Sequence, residues 1–104
     1  MKKEPTYDLE EIKELLKKEE TRHITQSARQ GAVSLGYADD EDMARRALKL
    51  IPSEFDKTMQ SIKRSVLMQD VYYTYDGTTK IYIKLQISWH EKKGVIISFK
   101  EEKS

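Results

Sequence analysis

The sequence predicts an α+β fold in which N-terminal helices pack on a C-terminal, twisted antiparallel β-sheet. Apolar residues recur at helical spacing as far as Ser65, and the period then changes to two in segments rich in β-branched and aromatic residues. Between two of these segments, Asp76-Gly77 is a strong signal for a two-residue hairpin. Because 104 residues rarely divide into two separate cores, we expect one domain over residues 1–104.

The first two helices are predicted from their apolar spacing and their caps. Residues 7–20 form the first helix, with acidic residues crowded into its first turn and Lys17 and Lys18 near its end, as the helix dipole favours. Residues 21–24 are a short connector or edge strand. Thr25 then caps a second helix that Gly36 ends, and its inward face consists of small or apolar residues: Ala28, Ala32 and Leu35.

Two further helices are predicted before the change of period. The third begins at Asp39 and ends before Pro52, with an apolar stripe of Met43, Ala47 and Leu50. The fourth begins at Ser53, because Ser53 and Asp56 have the spacing of a helix-starting Ser-x-x-Asp pattern. In that helix the inward residues are Phe55, Met59 and Ile62, and the outer residues are Lys57, Ser61 and Arg64.

Three strands are predicted over residues 66–75, 80–89 and 95–100. If Tyr75 pairs with Thr78, Gln69 lies opposite Lys84 and Val71 opposite Tyr82 on the side away from the core. In the last strand Val95, Ile97 and Phe99 should point away from Ile96, Ser98 and Lys100. The alternation therefore gathers amide, phenol and amine groups on one solvent-facing surface: Gln69, Tyr73, Tyr82, Lys84, Gln86, Ser98 and Lys100.

Composition excludes several classes of protein. Nineteen Lys and Arg against eighteen Asp and Glu give a net charge of +1, so a nucleic-acid site must be a local patch. The absence of cysteine excludes disulfides and thiolate chemistry, and we expect a cytoplasmic protein. No apolar run approaches the roughly 20 residues of a membrane span, so no membrane association is expected.

The residues offer little support for metal or histidine chemistry. The acidic run Asp39-Asp40-Glu41-Asp42 stands at a helix start, where capping and dipole interactions explain it better than a metal site. His23 falls in a connector and His90 at a hairpin turn, and a solvated surface role fits both better than catalysis. No Gly-rich phosphate loop is present, and we expect neither a metal nor a cofactor.

The lysines and tyrosine of the solvent-facing surface suit cleavage of RNA without a metal. That reaction must activate a 2′-hydroxyl, stabilise the extra negative charge on the phosphate and protonate the leaving 5′-oxygen. Neighbouring cations can lower the pKa of an amine or a phenol from its usual value near 10, and burial lowers that of an amine further. DNA would resist this route because it lacks the nucleophilic 2′-hydroxyl. Spacing alone equally allows ordinary solvent-facing strand residues.

Several peptides resemble the MqsR toxins of type II toxin-antitoxin systems, in matching order over residues 9–103. They are Ser53-Glu54-Phe55-Asp56-Lys57-Thr58-Met59, Gln69-Asp70-Val71-Tyr72, Tyr82-Ile83-Lys84-Leu85 and Ile97-Ser98-Phe99-Lys100-Glu101. The resemblance implies a fold like that of RelE-type ribonucleases. It also implies cleavage of messenger RNA at GC-containing triplets, growth arrest and effects on biofilm. A cognate MqsA-type antitoxin would be the neutralising partner, with DNA bound only through that complex.

The family motifs also imply the site residues. The active-site lysine falls on Lys57, the glutamine on Gln69, the tyrosine on Tyr82 and the second lysine on Lys100. Bordering residues expected to bind RNA are Arg64, Tyr73 and Lys84. Which of Lys57, Lys100 and Tyr82 acts as base or acid stays open.

Two other functions remain open at this stage. A non-catalytic module could bind an antitoxin or RNA and serve only as a transcriptional corepressor. A ribosome-dependent nuclease could cleave only messages that are being translated.

Overall fold

A computed structural model of the protein describes residues 4–61 and 67–103. Within these ranges three α-helices and a five-stranded sheet form an α+β fold with the helices N-terminal to most of the sheet, as predicted. The helices are α1 (Leu9–Lys17), α2 (Gln26–Ser34) and α3 (Asp40–Ala47). The strands are β1 (Arg22–Ile24), β2 (Phe55–Gln60), β3 (Met68–Asp76), β4 (Thr79–Ile87) and β5 (Gly94–Glu101).

The sheet has the strand order β1-β5-β4-β3-β2. Three of its four pairings are antiparallel, whereas β1 runs parallel to β5. The sheet is therefore mixed, whereas the sequence predicted a purely antiparallel one. The segment predicted as a connector or edge strand is therefore an edge strand. Parallel strands need a long connection between them. Here the chain between β1 and β5 includes α2, α3 and the other three strands, which provide that connection.

The predicted fourth helix is wrong. Residues 55–60 form strand β2, which pairs antiparallel with β3, and only a short 3₁₀ turn, Pro52–Glu54, precedes it. The Glu54 carboxylate, rather than Ser53, closes that turn by accepting the Ile51 N–H at 3.0 Å. Pairing with β3 satisfies the backbone of both strands, and this tertiary gain overrides a local cap signal. Ile62 and Arg64 lie outside the described residues.

The β3–β4 hairpin turns one residue later than predicted. Asp76 pairs with Thr79, so the two-residue loop is Gly77-Thr78, and Gly77 has a φ of +64°. A glycine at the first loop position accommodates the positive φ that tight hairpins require. The new register sets Val71 opposite Lys84. Each residue's partner on the other strand is two positions from the predicted one. Since residues two apart on a strand share a face, the side chains of β3 and β4 stay on their predicted faces.

Strand β5 contains a bulge that the sequence analysis missed. Lys84 pairs with Ser98 but Leu85 pairs with Ile96, which leaves Ile97 as the extra residue. Ile96 and Phe99 consequently both belong to the buried core on the helix side. The predicted grouping of Val95 and Ile97 with Phe99 is wrong, because strict alternation does not continue through a bulge.

Capping side chains fix the starts of α2 and α3 as predicted. Thr25 accepts the Ala28 N–H at 3.0 Å, and Asp39 accepts the Asp42 N–H at 2.9 Å. Arg29 joins the two helices through paired hydrogen bonds to Asp40, at 2.9 and 2.8 Å. The acidic run thus serves capping, as the sequence indicated, and Asp40 also pairs with Arg29. No helix in the described part of the chain is long and apolar enough to cross a membrane.

Helix α2 lies unusually close to β5. A Cβ atom placed on Gly31 would clash with the Phe99 carbonyl oxygen and would lie 3.1 Å from the Lys100 Cβ. Thr25 reaches the same strand at its bulge, where its N–H donates to the Ile96 carbonyl at 3.2 Å and its hydroxyl to the Ile97 carbonyl at 2.8 Å. Helix α2 therefore fixes the position of the strand segment that carries Lys100.

We expect Gly31→Ala to destabilise the protein by about 1–3 kcal/mol, because the new methyl group must displace a backbone carbonyl rather than a flexible side chain. Glycine to alanine within a helix otherwise stabilises by roughly 0.5–1 kcal/mol. The sign of the change in unfolding free energy, measured in urea, is the test. Gln30→Ala, at the exposed neighbouring position, is the control and should be close to neutral; a stabilised Gly31→Ala would contradict the close approach.

Candidate active site

The face of the sheet away from the helices, called the outer face below, carries the candidate site. Residues paired across neighbouring strands point to the same side, so the registers define which side chains belong to it. Two rows cross the strands at its centre. One row is Lys57, Val71, Lys84 and Ser98, and the next is Tyr73, Tyr82 and Lys100.

All four residues implied as catalytic lie on the outer face. Tyr82 and Lys100 are direct partners, and Gln69 lies opposite Met59 in a row adjoining that of Lys57. Lys57 reaches this face from a strand rather than from the predicted helix, because a bulge between Phe55 and Lys57 adjusts the alternation of β2. Tyr73 and Lys84, expected to bind RNA, share the face, whereas Arg64 falls outside the described residues.

The three central lysines differ in their exposure. Lys57 and Lys100 are exposed, whereas Lys84 between them is half-buried. Burial lowers the pKa of the Lys84 amine, and the positive charges of Lys100 and Lys57 lower it further. Among the residues that the structure describes, none of the three forms an ion pair with a carboxylate. The outer face thus concentrates uncompensated positive charge.

Two tyrosine rings lie beside these amines. The Tyr73 and Tyr82 rings meet edge to face with their centroids 5.6 Å apart. The Lys100 Nζ lies 5.1 Å from the centroid of Tyr82, and the Lys80 Nζ 4.6 Å from that of Tyr73. Burial raises the pKa of the Tyr82 phenol, with smaller contributions from Tyr73, Glu102 and Asp56. The phenol therefore stays protonated at neutral pH and can donate a proton or a hydrogen bond.

Gln69 differs from the expectation of a water-facing amide. Its side chain lies on the outer face but is only 6% exposed. Its Nε2 donates to the Oε1 of Gln86, also buried, at 3.0 Å. A buried amide that lacked a partner would be costly, and the cross-strand pair removes that cost. The pair holds both amides in place.

Asp70, the next residue, points to the opposite side and has a structural role. It is fully buried, and its two carboxylate oxygens accept the backbone N–H groups of Thr6 and Tyr7 at 3.0 and 2.9 Å. The Tyr7 hydroxyl donates to the Met68 carbonyl at 2.7 Å. In the Gln69-Asp70 motif, one residue therefore belongs to the candidate site and the other attaches the N-terminal segment to the sheet.

Of the two histidines considered in the sequence, His23 shares the outer face at its β1 edge, because it pairs with Val95, the partner of Gln86. His23 in β1 and His90 in the β4–β5 turn are both exposed. Within residues 4–61 and 67–103 no cluster of three or more His, Asp or Glu side chains is placed to hold a metal ion. Lys80 was missed as a neighbour of Tyr73, although its place two residues before Tyr82 could have assigned it to the same face.

Fold and site together define a small α+β protein whose exposed sheet face suits a phosphate-rich ligand. The chain belongs to the family described as "Motility quorum-sensing regulator, toxin of MqsA", whose model matches residues 4–101. Membership confirms the resemblance found in the sequence, and the family is that of a toxin paired with the antitoxin MqsA. No curated protein matches the chain.

We expect Asp70→Ala to lower the free energy of unfolding by about 1–3 kcal/mol, because the N–H groups of Thr6 and Tyr7 lose their buried acceptor. Urea unfolding measures the change. Asp56→Ala, at an exposed position in β2, is the control and should stay within about 0.5 kcal/mol of the unsubstituted protein. Equal stabilities of the two variants would contradict the structural role of Asp70.

Proposed function

We propose that this protein is a metal-independent endoribonuclease toxin of a type II toxin-antitoxin system. It cleaves messenger RNA at GC-containing triplets and thereby arrests translation and growth, and a cognate MqsA-type antitoxin neutralises it. The observation that carries the proposal is the cluster of lysines around Tyr82 on the outer face, which have no carboxylate partner within residues 4–61 and 67–103. Family membership supports the toxin assignment, and the chemistry of the face supports RNA as the target.

Positive charge on both sides of the site suits binding of the scissile phosphate. Lys57 and Lys100 approach the centre of the outer face from β2 and β5, on opposite sides of β3 and β4. Their ammonium groups neutralise the phosphate and stabilise the additional negative charge that develops as the 2′-oxygen attacks. Because both belong to paired strands of one sheet, their backbone positions are set before RNA binds.

Tyr82 is suited to the role of proton donor. A phenol with a raised pKa is almost entirely protonated at neutral pH, so little phenolate is present to act as a general base. The protonated phenol can still transfer its proton to a departing alkoxide, which is far more basic. Lys100, directly opposite Tyr82, stabilises the phenolate that remains after the transfer. Of the roles left open by the sequence, protonation of the 5′-oxygen is the one that this environment favours.

Gln69 and Tyr73 orient the substrate. The Gln69 amide, held by Gln86, is placed to hydrogen-bond to the phosphate or to a base. Tyr73, in edge contact with Tyr82, provides an aromatic surface on which a base can stack. Arg64 is retained from the sequence as an RNA-binding residue.

The central experiment incubates the purified protein with a mixed RNA pool, with and without EDTA. We expect discrete products in both, because lysines rather than a metal ion balance the phosphate charge. DNA of the same sequences should remain intact because it has no 2′-hydroxyl.

Other outcomes of that experiment identify other functions. Intact RNA that is retained tightly by the protein would indicate a non-catalytic binder, such as a corepressor acting with the antitoxin. Cleavage only of messages on translating ribosomes would indicate a ribosome-dependent nuclease. Cleavage abolished by EDTA would contradict the metal-independent mechanism.

We expect Tyr82→Phe and Lys100→Ala each to lower the RNA cleavage rate by roughly 10²-fold or more, since each removes a group that acts on the reacting atoms. Growth arrest on expression should weaken in parallel, while the thermal unfolding midpoint stays nearly unchanged. Tyr75→Phe and Lys103→Ala, at exposed positions, are the matched controls and should retain activity. Full toxicity in both Tyr82→Phe and Lys100→Ala would remove these residues from the mechanism.

A further inference from the structure

Lys84 occupies the middle of the outer face, yet the proposed roles above leave it without a chemical step. In the row of Lys84, Val71 separates Lys84 from Lys57. Lys100 belongs to the adjacent row, where it pairs with Tyr82. Lys84 and Tyr82 are two residues apart on one strand, so their side chains emerge on the same face about 7 Å apart along it. A phosphate held by Lys57 and Lys100 would therefore lie between the Lys84 amine and the Tyr82 phenol.

We propose that Lys84 is a catalytic residue, the general base that takes the proton from the 2′-hydroxyl of the RNA. This inference rests on the proposed ribonuclease function. In-line displacement requires the attacking and leaving oxygens to lie on opposite sides of the phosphorus atom. Lys84 and Tyr82 flank the phosphate along β4, so a base and an acid stand on those two sides. Lys57 and Lys100 are exposed, where water stabilises an ammonium ion, whereas the half-buried Lys84 has lost part of that hydration.

The proposed step balances without any additional reactant. The neutral Lys84 amine accepts the 2′-proton, the 2′-oxygen forms a bond to the adjacent phosphorus, and the bond from phosphorus to the 5′-oxygen breaks. The leaving oxygen receives the Tyr82 proton. The products are a 2′,3′-cyclic phosphate and a 5′-hydroxyl, and the proton on Lys84 returns through solvent to the Tyr82 phenolate.

The charged groups around Lys84 favour its neutral form. Lys57 faces it from β2 and Lys100 from β5, and both charges lower its pKa in addition to burial. Tyr82 on β4 and Tyr73 on β3 also titrate on this face, and burial raises the pKa of both phenols. Lys80 lies against the Tyr73 ring, and the carboxylates of Asp56 and Glu102 act on both tyrosines. Gln69 and Gln86, the closest side chains toward the other end of the face, are neutral. The pKa values of the amine and the phenol are thus shifted in the directions that a base and an acid require.

The test compares Lys84→Arg and Lys84→Met with the unsubstituted protein on an RNA oligonucleotide that the latter cleaves. Arginine keeps the charge but does not deprotonate, so it can bind RNA without acting as a base. We expect both variants to lose at least about 10²-fold in the single-turnover rate. Lys84→Arg should still bind the same oligonucleotide, carrying a 2′-deoxy group at the cut, within about threefold. Lys18→Met, at an exposed position at the end of α1, is the control.

Two further measurements separate a base from a binding cation. The rate of the unsubstituted protein should rise with pH to a plateau, and this rise should disappear in Lys84→Arg. In ¹⁵N or ¹³C spectra of the lysine side chains, Lys84 should titrate at lower pH than Lys18. The second measurement requires no RNA.

The outcomes distinguish this inference from the proposed function. If Lys84→Arg cleaves RNA at nearly the unsubstituted rate, or keeps the pH-dependent rise, Lys84 is not the base, although the ribonuclease proposal stands. Titration of Lys84 together with Lys18 would also overturn its role. If the unsubstituted protein cleaves no RNA, free or on ribosomes, both proposals fail together. Should Lys84→Met fail to fold, Lys84→Arg, which keeps the charge and a long aliphatic stem, decides the question.

Discussion

The close contact between α2 and the bulged strand β5 is the constraint on which the arrangement of the outer face depends. Without the bulge at Ile97, strict alternation from the buried Ile96 would turn Lys100 toward the helices. The extra residue restores Phe99 to the core and Lys100 to the outer face. Thr25 holds the bulge by hydrogen bonds on both of its sides, and the missing side chain of Gly31 lets α2 approach the strand just beyond it.

A second bulge has the same effect at the far edge of the sheet. Between Phe55 and Lys57 the register of β2 shifts by one residue, so Phe55 packs edge to face on the buried Tyr72 while Lys57 joins the outer face. A β-bulge therefore places each of the two cations, Lys57 and Lys100, that flank the centre of the site. Bulges are common beside functional sites because they redirect single side chains without interrupting the sheet.

The sequence predicted the outer face better than it predicted the elements that form it. Strict alternation in β3 and β4 was sufficient to assign Gln69, Tyr73, Tyr82 and Lys84 to one side. The error in the hairpin turn left those assignments unchanged, because each residue's partner moved by two positions and residues two apart share a face.

The Ser-x-x-Asp pattern at Ser53 predicted a helix wrongly, because a local cap signal carries no information about pairing with a strand elsewhere in the chain. The bulge at Ile97 was missed for a similar reason, since the hydrogen bonds that hold it come from Thr25, 72 residues away. The burial of Gln69 was missed because its partner is identified only by the correct register.

The charge distribution explains why the face is suited to chemistry as well as to binding. Most lysines on α1 and in the β4–β5 turn have carboxylate partners, including Lys13, Lys17 and Lys92. The lysines at the centre of the outer face have none among the described residues, so they repel one another, and a bound polyanion would relieve this repulsion. On the proposed function, this repulsion serves two purposes at once. It attracts the phosphate, and it makes the most buried amine of the group the one that most readily gives up its proton. Pairing Lys84 with a carboxylate would abolish both effects, because the charge would then be neutralised and the amine held in its protonated form.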